Sequence, residues 1–105
     1  MARLQARRRG LDEASRVALQ GVLADPIFEL LPLKNLADQV PHLPPGARVS
    51  VTASPAKGID ATVDWAARLQ ADGFRAIPHL SARMVPDRAR LAELLARARG
   101  AGLTR

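Results

Sequence analysis

Three side chains in this sequence could act together in one reaction, namely Glu29, Thr52 and His79. Each stands at or near the end of an apolar, strand-like run. The runs are Ile27-Phe28-Glu29-Leu30-Leu31, Arg48-Val49-Ser50-Val51-Thr52 and Arg75-Ala76-Ile77-Pro78-His79-Leu80-Ser81. Glu29 demands the most explanation. Ile27, Phe28, Leu30 and Leu31 surround it, so both faces of its strand are apolar and the strand is expected to be buried on two sides, as in a parallel α/β sheet. A carboxyl taken out of water without a partner favours its neutral form, which is the form a general acid needs near neutral pH. Thr52 and His79 have plainer readings, as a β-former with a satisfied hydroxyl and a hydrogen-bonded structural histidine. Their positions at successive strand ends matter more than their types. Ligands gather at the C-terminal ends of parallel strands and in the loops that follow.

Other chemistries are set aside by composition. The 105 residues contain no cysteine, which excludes disulfides, thiolate nucleophiles and cysteine-ligated zinc, and suggests a reducing, cytoplasmic setting. His42 and His79 have no metal-ligand spacing, so no metal is expected. No apolar run reaches the roughly 18–20 residues of a transmembrane helix. The net charge of +6 is concentrated in Arg3, Arg7, Arg8 and Arg9. Gly10-Leu11-Asp12-Glu13 follows instead of the apolar stretch of a signal peptide. Residues 1–10 therefore read as a basic flexible arm. Its arginines also support an alternative, a small α/β binding module that contacts nucleic acid through the arm.

The intervening segments supply the supports for these strands. Residues 12–23 predict a helix capped by Asp12, with Ala14, Val17, Ala18 and Val22 at helical spacing. Pro26 ends it and the first strand follows. A short helix from Leu36 to about Val40 stops at Pro41, with His42 in a surface loop. After the second strand, Asp60 is expected to cap a helix whose stripe is Thr62, Trp65, Ala66 and Leu69, with Asp64 and Arg68 paired outside. Gly73 ends that helix. In the third run, Pro78 removes a ladder donor and marks a bulge or the strand's end. The last helix starts at Asp87, with Leu91, Leu94, Leu95 and Ala98 as its stripe and Glu93 paired with Arg97. Its outer arginines (Arg88, Arg90, Arg97, Arg99) read as a solvated face. Strands alternating with amphipathic helices predict right-handed βαβ units and a parallel sheet.

At the candidate residues the sequence resembles the methylenetetrahydrofolate reductases. Their first strand typically reads F-E-F-F-P-P-K, against Phe28-Glu29-Leu30-Leu31-Pro32-Leu33-Lys34 here. Their F-V-S-V-T-Y-G corresponds to Arg48-Val49-Ser50-Val51-Thr52-Ala53-Ser54, and their A-H-L-T to Pro78-His79-Leu80-Ser81. The resemblance extends over about residues 26–105. It departs from the family at Leu30, Leu31 and Leu33, and at Ala53-Ser54, which replace an aromatic-glycine pair. The resemblance implies a (β/α)8 barrel of the TIM type that holds FAD at its strand ends. NADH or NADPH reduces the flavin, and hydride passes to 5,10-methylenetetrahydrofolate to give 5-methyltetrahydrofolate. Glu29 would then match the acid that protonates the folate N10 nitrogen as the bridging ring opens. Thr52 and His79 would match residues lining the flavin and its ribityl chain. On this reading residues 11–105 are a helix plus the first three βα units of an incomplete barrel. Such a chain is expected to be inactive alone and to self-associate or be complemented by another polypeptide.

Overall fold

The computed structural model describes residues 10–104. The arginines of the basic arm, Arg3, Arg7, Arg8 and Arg9, lie outside the described residues. The described residues are α/β, with four α-helices and a three-stranded parallel sheet in the order β1-β2-β3. Helix α1 spans Glu13–Ala24, β1 Ile27–Leu30, α2 Leu36–Gln39, β2 Arg48–Val51, α3 Ile59–Ala71, β3 Arg75–Pro78 and α4 Arg88–Gly100. Two 3-10 turns, Val40–His42 and Ala82–Met84, complete the path. No helix among the described residues is long and apolar enough to cross a membrane.

Register decides what faces the helices. Phe28 lies opposite Val49, which lies opposite Ala76; Leu30, Val51 and Pro78 form the next row. Phe28, Leu30, Val49, Val51 and Ala76 pack with Ala66 and Leu69 of α3, with Trp65 at the margin. Val49, Val51 and Leu69 are fully buried, each worth about 1.5–3 kcal/mol relative to exposure. A second cluster joins α3 to α4 through Ile59, Val63 and Leu94. The alternate rows, Ile27/Arg48/Arg75 and Glu29/Ser50/Ile77, belong to the other face. At β1 that face is open, with Ile27 49% exposed and Glu29 also exposed, whereas Ser50 at the centre of the sheet is 4% exposed. The expectation that β1 is buried on both sides is therefore corrected, because residues apolar enough to be buried have no layer to bury them.

Helix α3 and helix α4 end in the same way. Gly73 and Gly102 take left-handed conformations (φ 97° and 79°), and the next residue donates back to the helix, Phe74 to Leu69 and Leu103 to Ala98. This is the Schellman arrangement, in which the residue after glycine makes an apolar contact. Phe74 and Leu103 both pack on the sheet core, as does Ala47 after Gly46 (φ 70°). Gly73-Phe74-Arg75 and Gly102-Leu103-Thr104 are thus two copies of one helix-ending device, while Gly46-Ala47-Arg48 reaches the same left-handed glycine and apolar contact from a turn in which Ala47 N donates to Pro44 O.

Several local expectations are corrected. Gly58 (φ 80°) occupies the N-cap of α3, and Asp60 lies within the first turn, bonded to Arg90 and Arg97 of α4. Asp64 meets Arg97, while Arg68 stacks over Trp65 with its guanidinium 4.7 Å from the ring centroid. Glu93 pairs with Arg90 at 2.9 Å. In each case a tertiary partner on the facing helix, an aromatic face or an i, i+3 neighbour won over the i, i+4 pair. Leu91 and Leu95 are exposed, so only Leu94 and Ala98 of the α4 stripe reach the core. Helix α1 is capped by Asp12, whose carboxylate accepts from Ser15 N at 2.7 Å, yet buries no residue.

Candidate functional site

The third row of the bare face lies just past the strand ends, where the backbone stays paired. Thr52 N donates to Leu30 O and His79 N donates to Val51 O, both at 2.9 Å. Strand alternation then places Thr52 and His79 on the same face as Glu29. The Thr52 hydroxyl donates to Glu29 Oε1 at 2.8 Å. Two of the three candidate residues are therefore in direct contact, on adjacent strands and 23 positions apart in sequence. His79 stands on the next strand, exposed, beyond Thr52. A groove of 350 Å³ runs from Glu29 past Leu31 and Leu33 to Gln39 and His42. His42, exposed as expected, lines the same groove.

Glu29 has one partner and open surroundings. The desolvation expected around it does not exist in this chain, because its neighbours Ile27 and Leu31 are themselves about half exposed. What the arrangement can do is hold one carboxylate oxygen and leave the other available. A threonine hydroxyl that donates to one oxygen fixes the carboxyl plane, and the second oxygen can exchange a proton with a ligand lying on the sheet. Thr52 and His79 offer polar groups along one side of that ligand. No group of three or more histidine, cysteine or acidic side chains able to hold a metal occurs among the described residues.

The opposite end of the same face carries a cluster that sequence reasoning missed. Arg48 and Arg75 lie side by side in register, and both reach Asp25 in the α1–β1 turn. Arg75 donates through both terminal nitrogens to the Asp25 carboxylate and through Nε to Gly46 O at 3.0 Å. Arg48 donates to the Asp25 carbonyl. Hydrogen bonds from Arg75 above all, aided by the charge of Arg48, hold the Asp25 carboxyl below its usual range. The signal available in the sequence was the repeated glycine-apolar-arginine at two strand entrances. Of the four α4 arginines, Arg90 and Arg97 are engaged by Asp60, Asp64 and Glu93. They serve helix packing first.

No known protein-family model matches this chain, and no solved structure matches it.

Proposed function

We propose that this chain supplies part of the active site of a methylenetetrahydrofolate reductase-like oxidoreductase, as three βα units of a (β/α)8 barrel. The observation that carries the reading is the contact between Glu29 and Thr52, with His79 on the neighbouring strand. These are the residues on which the resemblance rests, and they share one end of one sheet face. The bare face and the repeated Gly-apolar entrance device support a sheet that continues beyond three strands. In a closed barrel the exposed rows of Ile27, Glu29 and Leu31 become interior, and Glu29 gains the low-dielectric surroundings that suit a general acid.

On this reading Glu29 protonates the N10 nitrogen of 5,10-methylenetetrahydrofolate as its bridging ring opens, while Thr52 holds the carboxyl plane. His79 and Thr52 line one side of the cofactor. FAD, reduced by NADH or NADPH, supplies the hydride when bound. The chain alone presents one wall and is inactive. Activity belongs to the completed barrel, in the cytoplasm.

A graft tests this directly. Residues 26–104 replace the first three βα units of a working reductase, and the chimera is assayed for flavin content, NADH:quinone turnover and folate reduction. The expected result is a flavin-loaded chimera active in both reactions. Glu29→Gln should then cut folate reduction by about a hundredfold, the usual worth of a general acid, and leave quinone turnover within about twofold. A soluble, flavin-loaded chimera without folate reduction would overturn the proposal, as would equal loss of both reactions in the variant.

A further inference from the structure

We infer that the N-terminal end of the bare sheet face is a binding site for a small oxyanion, held by Arg48 and Arg75. The argument starts from charge. Two guanidinium groups sit opposite each other on adjacent strands, which is unfavourable unless something negative lies between them. Asp25 supplies one negative charge for two positive ones, so one positive charge is left over. Geometry places the surplus on Arg48. Asp25 gives Arg75 two carboxylate hydrogen bonds, and gives Arg48 one hydrogen bond from its backbone carbonyl and an ion pair that is not a hydrogen bond. Arg48 Nε lies 3.1 Å from Asp25 Oδ2 without hydrogen-bond alignment, and it is a buried side-chain nitrogen without an acceptor. A buried donor without an aligned acceptor is unfavourable, and a ligand oxygen placed in line with it relieves that cost.

The space matches the charge. Arg48, Arg75 and Asp25 line a cavity of 520 Å³ together with Gln70, Ile77 and Thr104. It has room for a phosphate or a carboxylate with its waters, and an apolar floor at Ile77. The Arg75 fork is taken up by Asp25 and Gly46 O, so the planar N–H geometry that suits such oxygens is offered by Arg48, with Arg75 adding its charge beside it. Asp25 is half exposed and competes for the same donors, so it sets the affinity of the site. This site lies at the opposite end of the strands from Glu29 and does not depend on the function proposed above.

The test uses the full chain. Titrations with inorganic phosphate and with acetate, at constant ionic strength made up with chloride, are followed by the NMR shift of the Arg48 Nε–H and by melting read from Trp65 fluorescence. The expected result is a saturable Arg48 shift and a higher melting temperature with phosphate, acetate or both. The anion with the stronger response identifies phosphate or carboxylate as the ligand chemistry. Asp25→Asn should tighten the binding about fivefold, the size of one exposed ion pair, even if it lowers the melting temperature in chloride. Arg48→Gln should abolish the response. Arg48→Lys, which keeps charge and fold but loses the planar fork, should weaken it. A wild-type chain that melts identically in all three salts with an unmoved Arg48 resonance overturns the proposal. So does a phosphate response that Arg48→Gln leaves intact, or Asp25→Asn that binds no tighter.

Discussion

Glu29 shows how residue type and residue environment separate. Its flanking sequence demands burial, and its position on an uncovered sheet face leaves it open with a single hydrogen bond from Thr52. Removing that bond should matter little to the chain alone. Thr52→Val should change unfolding free energy by less than about 0.5 kcal/mol, as for most surface substitutions. In the grafted barrel, where the carboxyl plane is used, the same change should lower folate turnover while leaving flavin content unchanged. A drop in flavin content instead would assign Thr52 to cofactor binding and not to positioning Glu29. Leu94 makes the opposite case. It is fully buried between α3 and α4, whereas its neighbour Leu95 is 52% exposed. Leu94→Ala should cost about 2–5 kcal/mol in denaturant melts, and Leu95→Ala under about 0.5 kcal/mol. The two leucines are indistinguishable by type, and only the direction each faces separates them.

Among the elements, β3 and α4 carry the features most open to test. The β3 backbone alternates, so Arg75 and His79 donate toward β2 while Ala76 and Pro78 face the outer edge. Pro78 has no N–H, and Ala76 N already donates to Gln70 Oε1 at 3.0 Å. The edge is thus short of donors, a common way of restraining unwanted strand pairing. Gln70→Ala should free the Ala76 donor, cost about 1 kcal/mol and increase concentration-dependent association in gel filtration. Unchanged association would show that the edge is protected by something else. Helix α4 is clamped to α3 by Asp60 and Asp64 against Arg90 and Arg97. Arg97 above all, with Arg90, pulls the Asp60 carboxyl below its usual value, against a smaller opposing effect of desolvation. A carboxyl whose folded value is depressed contributes its full stabilisation above the unfolded value of about 4 and loses it as pH falls through the folded value. The melting temperature should therefore stay level from about pH 7 to about pH 5 and fall below about pH 4. Asp60→Asn should flatten part of that fall. A decline that begins near about pH 6 would point to histidine instead.

For the whole molecule the dominant fact is apolar surface without a covering layer. Ile27, Leu31 and Leu33 on and after β1, Leu91 and Leu95 on α4, and Val17, Val22 and Leu23 on α1 are all exposed. Patches of this kind associate, so the chain should elute above its monomer size at high concentration and approach it on dilution. Leu31→Lys with Leu95→Lys should shift it toward monomer without lowering its melting temperature by more than a few degrees. A wild-type chain that stays monomeric at all concentrations would show that the exposed leucines do not drive association. Much of this architecture is legible in the sequence. Alternating β-branched runs and amphipathic stripes are local patterns, and they are enough to predict four helices, three strands, a parallel sheet, the cap at Asp12 and a last helix that starts within a residue of Asp87. The turn glycine at Gly73 is legible for the same reason, since its conformation is set by its neighbours. The partners of Asp25, Asp60, Asp64 and Arg68 are not legible, because each depends on which residues register and helix packing bring within reach. The exposure of Glu29 depends on whether a second layer lies over β1, which no local pattern encodes. Sequence determined the elements and their order, because those follow from periodicity over a few residues. Only the tertiary structure decided which face is bare, which charges meet and that Glu29 touches Thr52, because these depend on distances between residues far apart in the chain.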